Sequence, residues 1–203
     1  MPARIALIRH GQTTWSASGQ HTSVTDLDLT EEGEQQARTV AKLLTGLQLA
    51  PVTVLSSPRI RALRTAALAG LHVTDIVADL AEWNYGEYEG ITSKQIHVDR
   101  PGWSIFIDGA PGGESPEQVT VRADRVLARA ADALVDGDVA LICHGHMSRV
   151  LAAHWVELPI SAGGLLLMDP AAVTVLGTYH DRPCIEHANV VPFHRPDDGA
   201  HGV

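Results

Sequence analysis

Three short apolar runs in this chain hand off directly to groups that handle phosphate. Ile5-Ala6-Leu7-Ile8 runs into Arg9 and His10, Val52-Thr53-Val54-Leu55 leads to Arg59 and Arg61, and Val139-Ala140-Leu141-Ile142-Cys143 stops at His144. A fourth segment, near His72–Val77, feeds a polar loop holding Glu82, Trp83 and Tyr85. Guanidinium groups bind phosphate oxygens bidentately and offset the charge that spreads during transfer. A neutral imidazole is a nucleophile, and flanking arginines disfavour its protonation. A carboxylic acid can give a proton to a departing alkoxide and then, as carboxylate, activate water. That scheme needs neither a metal nor a cofactor. One histidine at a strand end is usually structural; four converging strand exits carry the argument.

The elements that must position these groups follow from periodicity. Continuous apolar runs fit strands buried on both faces. Thr30 is placed to cap a helix with Glu31 and Glu32 in its first turn, and Ala37, Val40, Ala41 and Leu44 form its buried stripe. Ser57-Pro58 reads as an N-cap and first helical position. Thr92 with Gln95, and Ser115 with Gln118, have capping-box spacing. Two or three more short strands are expected between Leu165 and Val191. Alternating strands and helices predict an α/β fold, a three-layer α/β/α arrangement around a central, mostly parallel sheet. Ligands of such sheets sit beyond the carboxyl ends of the strands, where the candidate residues fall.

Composition narrows the function classes. With 203 residues, one domain over 1–193 is expected, followed by a loose tail over 194–203. Hydrophobic residues make up 45% and charged residues 19%, which excludes a disordered chain. A formal charge of −9 argues against nucleic acid or anionic membrane as partner, and makes local arginine clusters more telling. The absence of a long apolar run or a cleavage pattern, and only two cysteines, fit a cytoplasmic protein acting on a small phosphorylated metabolite. The late apolar strands are compatible with pairing in a homodimer.

Leu7-Ile8-Arg9-His10-Gly11-Gln12-Thr13 resembles the opening motif of the histidine phosphatase superfamily, in its phosphoglycerate-mutase-like branch. The resemblance continues through Thr22, Asp26, Leu29-Thr30 and Gly33, then at Ser56-Ser57-Pro58 with Arg61-Ala62 and Thr65-Ala66. It extends to Glu82, Tyr85-Gly86, Gly112-Gly113-Glu114-Ser115 and His144-Gly145-His146. It implies that fold, His10 as the phosphorylated nucleophile, Arg9, Arg61 and His144 as the rest of the phosphate pocket, and Glu82 as proton donor. Gln12, Thr13 and Thr22 would lie near the substrate, with Arg59 as an accessory contact. Trp83, Tyr85 and His146 are further candidates for substrate contact. Ser115 is another, although its capping role already explains it.

Departures separate two activities. Mutases resembling this chain have Asn, Gly and Arg where it has Ser16, Ser23 and Trp83, and a longer insertion with paired arginines between Glu82 and Pro111. A mutase must hold a bisphosphorylated intermediate and exclude water, so losing cationic clamps favours hydrolysis. The loop Glu82-Trp83-Asn84-Tyr85-Gly86 looks more like broad acid phosphatases and sugar bisphosphatases. An acid-to-neutral optimum is expected, with residues 97–112 as a lid. Cys143 and Arg149 have the spacing of cysteine-dependent phosphatases, a competing but weaker reading, because Cys143 reads as the last buried residue of a strand. A catalytically weak phosphate-binding module is the non-enzyme alternative.

Overall fold

The alternation of apolar residues along the first strand decides the layering: Ile5 and Leu7 face one core, Ala6 and Ile8 the other. The computed structural model describes residues 2–191; the expected tail over 194–203 lies outside them. In chain order the elements are β1 (Ile5–Arg9), α1 (Thr14–Ser18), α2 (Glu31–Gly46), β2 (Thr53–Ser56), α3 (Ile60–Leu68), β3 (Asp75–Ile76), α4 (Ser93–Asp99) and α5 (Ile105–Asp108). They continue with α6 (Pro116–Ala133), β4 (Val139–Cys143), α7 (Gly145–Trp155), β5 (Val173–Tyr179) and β6 (Arg182–Val190).

The sheet order is β3-β2-β4-β1-β5-β6. The first four in that order run parallel, and β5 and β6 join antiparallel. One sheet face packs against α6 and α7 through Val119, Val126, Met147 and Leu151; the other packs against α2 and α3 through Val40, Leu44, Ala62 and Ala66. The predicted three-layer α/β fold is the one observed. No helix among the described residues is long and apolar enough to cross a membrane.

Capping chemistry sets the helix starts. The side chains of Thr30, Thr92 and Ser115 accept from backbone N–H groups three residues on, as their spacing predicts. Ser57 departs from expectation. Its hydroxyl is bonded to His144 at 2.7 Å, and α3 begins after Arg59 as N-cap. The third strand shrinks to two exposed residues at the sheet edge. Helix α1 was not anticipated; Thr13 and Ser16 cap each other reciprocally there, with serine in place of the usual Glu or Gln. Residues 97–112 do not form a lid. Trp103, Ile105 and Phe106 are buried in the core, and Trp103 Nε1 donates to Gly109 O.

Candidate active site

Parallel pairing of β1 with β4 sets Arg9 opposite Cys143, and His10 N donates to Cys143 O at 3.1 Å. His10 and His144 therefore leave adjacent strands together, with ring centroids 5.1 Å apart at 63°. His10 Nδ1 lies 2.7 Å from Gly11 O. A carbonyl only accepts, so Nδ1 carries the proton and Nε2 keeps its lone pair. Burial, then the charges of Arg61 and Arg9, push the His10 pKa well below the ordinary imidazole value of 6.5. The ring is thus a neutral base with a free lone pair.

The turn after His10 is fixed by contact between glycines. A Cβ on Gly11 would lie 2.3 Å from Gly33 O, and one on Gly33 would lie 2.1 Å from Gln12 O. Only hydrogen at both positions lets the turn rest on the first turn of α2.

Arg61 and His144 form a wholly buried layer behind His10. Arg61 donates to His144 Nδ1 through Nε, to Thr25 O through Nη1, and to Thr22 O and Ser23 O through Nη2. With Nδ1 accepting, His144 must carry its proton on Nε2, which donates to Ser57 Oγ. Arg9 is different. Its Nη1 donates to Met168 O at 2.6 Å, while its Nε is buried without a partner, a donor suited to an anionic oxygen.

The facing wall comes from the Glu82 loop and the start of α7. The Glu82 carboxylate accepts from the backbone N–H groups of Trp83, His146 and Met147, an arrangement that fixes it against the N-terminus of α7. Tyr85 Oη and His146 Nδ1 are 2.5 Å apart. Burial keeps the Tyr85 phenol protonated and His146 neutral, so the phenol donates and His146 holds its proton on Nε2. Arg9, His10, Thr22, Glu82, Tyr85 and His146 together line a cavity of about 340 Å³.

Several predicted residues are not among those lining the cavity. Trp83 is fully buried, and its Nε1 donates to Glu114 O. Ser115 caps α6 and Thr13 caps α1. Gln12 is bonded to Thr30 and Gln36. Arg59 stands at the N-cap position of α3 without a side-chain capping bond, its Nε buried and unpartnered. The lining residues that were missed include three with titratable side chains, His21, Arg149 and Asp169. Arg149 had a signal, one helical turn beyond Gly145. His21 adjoined Thr22, and Asp169 had none. The Cys143 thiol is pushed up to about 12 by burial, which removes the thiolate that a cysteine mechanism requires. Among the described residues no group of three or more His, Cys, Asp or Glu is arranged to hold a metal ion.

This cluster of neutral histidines has a stability consequence. His10, His144 and His146 are held well below 6.5 mainly by burial, and burial lowers His21 to about 4. Below pH 6.5 the unfolded chain takes up protons that the folded one refuses, so stability falls as pH drops from 6.5 toward 4. His21 alone accounts for about 3 kcal/mol across that window. Thermal melts at pH 7.5 and 4.5 are expected to show a clear drop in Tm at the lower pH. Equal Tm values would contradict buried neutral histidines.

The model of the histidine phosphatase superfamily (branch 1) matches residues 5–191. The chain belongs to the histidine phosphatase superfamily. This histidine phosphatase is 43% identical, over 177 residues and 87% of each chain, to an acid phosphatase of Mycobacterium tuberculosis. It is 35% identical to sedoheptulose 1,7-bisphosphatase of Saccharomyces cerevisiae, over 77% of this chain and 69% of that one. A solved structure of an open reading frame product from Mycobacterium tuberculosis superposes with a TM-score of 0.92 at 40% identity, covering 95% of this histidine phosphatase and 100% of that chain.

Proposed function

We propose that His10 Nε2 attacks the phosphorus of a small phosphate monoester and that water then hydrolyses the resulting phosphohistidine. An N–P bond forms as the P–O bond to the alcohol breaks, and Glu82 delivers the proton the leaving oxygen needs. Glu82 then takes a proton from water as the new P–O bond forms and the N–P bond breaks. Arg9 binds the phosphoryl oxygens, and the buried charge of Arg61 with the His144 ring keeps His10 neutral and in place. The observation that carries this reading is His10 itself, neutral, with Nδ1 tied to Gly11 O, in the cavity that Glu82 also lines.

Hydrolysis rather than mutase chemistry is supported by the charge of the cavity. The lining arginines are Arg9 and Arg149, and the Asp169 carboxylate beside them offsets part of their charge, which suits one phosphoryl group better than two. The names of the relatives, acid phosphatase and sugar bisphosphatase, point the same way. Small phosphorylated metabolites of the cytoplasm are the proposed partners, and the unpaired thiols of Cys143 and Cys184 suit that reducing compartment.

Assaying 3-phosphoglycerate for isomerisation beside phosphate release from simple monoesters tests the reading; fast isomerisation without phosphate release would overturn it. Glu82→Gln is expected to slow alkyl phosphates by about 10²–10⁴-fold. Nitrophenyl phosphate, whose leaving group needs no proton, should lose much less. Equal losses in kcat/KM, which reports formation of the phosphoenzyme alone, would remove Glu82 from the acid role.

A further inference from the structure

Beside the phosphoryl cavity lies a second one of about 300 Å³, lined in part by Ala152, Leu165, Leu166, Ile185 and Ala188. Arg149, Leu167 and Met168 border both cavities. Met168 joins them physically: its carbonyl accepts from Arg9, while its sulfur accepts from Thr174, which lines the second cavity.

Most of the polar groups of this groove are already engaged. Ser148 Oγ is bonded to Cys143 Sγ, and Thr174 Oγ1 accepts from Asn189 N. The Asn189 side chain exchanges hydrogen bonds with Asp169, donating to its carboxylate and accepting from its N–H. Arg149 donates to Gly163 O and Gly164 O with its guanidinium 4.6 Å from the Phe106 ring centroid. A hydroxyl-rich group entering the groove would lose its water and find few of these partners free. An apolar group would gain contact with the aliphatic lining. Leu165 and Leu167, 86% and 60% exposed, give the groove an apolar lip facing solvent.

We propose that this groove takes the apolar part of the substrate's alcohol, so that the preferred substrates are phosphate monoesters of alkyl or aryl alcohols, bound with their phosphoryl group at His10. The proposal rests on the phosphohistidine reading and adds the class of leaving group. Occupancy by a second copy of this chain is the rival use of the same surface.

The test compares kcat/KM for ethyl, butyl and hexyl phosphate, with glycerol phosphate as the polar control, in the full chain and in Ala188→Trp. Each methylene that becomes fully buried is expected to raise kcat/KM about fourfold, so hexyl phosphate should exceed ethyl phosphate by roughly tenfold or more. Ala188 lies on an exposed part of β6, and tryptophan there should narrow the groove and collapse the hexyl-to-ethyl ratio. Inhibition by hexylphosphonate against ethylphosphonate should follow the same ratio. A flat series, or a ratio untouched by Ala188→Trp while its melt stays native, overturns the proposal. A flat series with a dimer in sedimentation that Ala188→Trp dissociates overturns it in favour of the second copy. Undiminished turnover by His10→Ala would instead overturn the phosphohistidine reading, and with it the placement of the phosphoryl group.

Discussion

Replacing His10 with alanine is expected to lower kcat for a simple phosphate monoester by on the order of 10⁴-fold or more. The size of that loss follows from the lack of a substitute. Both nitrogens of His144 are engaged, by Arg61 and Ser57, and the lone pair of His146 receives the Tyr85 hydroxyl. The Cys143 thiol stays protonated at any working pH. Arg9 and Glu82 still bind and polarise the ester in the variant, so the residual rate should exceed that in water. Rapid-quench experiments should trap a phosphoenzyme in the parent chain, stable in alkali and lost in acid, and none in the variant. A variant within tenfold of the parent, with the same phosphoenzyme, would mean that another residue carries the phosphoryl group.

Arg61→Leu should unfold the protein more readily as well as silence it. Its guanidinium is fully buried and supplies four hydrogen bonds, three of them to carbonyls of residues 22–25. Removing a buried charged donor and leaving its acceptors unpaired costs about 3–5 kcal/mol. In a domain of this size that corresponds to a Tm lower by about 10 °C. Loss of the charge also raises the His10 pKa toward its ordinary value, because Arg61 is the larger of the two charge effects on that ring. Arg61→Lys keeps a charge but has no planar fork, so it should regain less than half of the lost Tm. An unchanged melt for Arg61→Leu would show that the 22–25 segment is held by other contacts, such as those of Glu89 to Ser23 and Thr25.

What was legible in the sequence divides along physical lines. Strands β1, β2 and β4 and helices α2 and α6 announce themselves because burial on both faces, or on one stripe, leaves a periodic trace. The caps at Thr30, Thr92 and Ser115 are local chemistry and were readable as such. Ser57 was not: a serine before a proline has capping form, but its hydroxyl is claimed by a histidine 87 residues away. Trp83 and Tyr85 share a loop, yet one is sealed against Glu114 and the other opens on the cavity. Direction of that kind depends on packing partners remote in sequence. Asp169 reaches the cavity for the same reason, and no local pattern marks it.

The order of strands in the sheet bears on when this protein can first act during its synthesis. β1, the first element made, has β4 and β5 as its neighbours, and β2 reaches it only across β4. A nascent chain that already displays His10, Arg61 and Glu82 still lacks the strand that seats the first beside the second, and the helix end that seats the third. If His10 and Glu82 act as proposed, catalysis begins only after residue 147 has emerged and docked, and recovered activity on refolding reads out the completed long-range sheet rather than any early fragment.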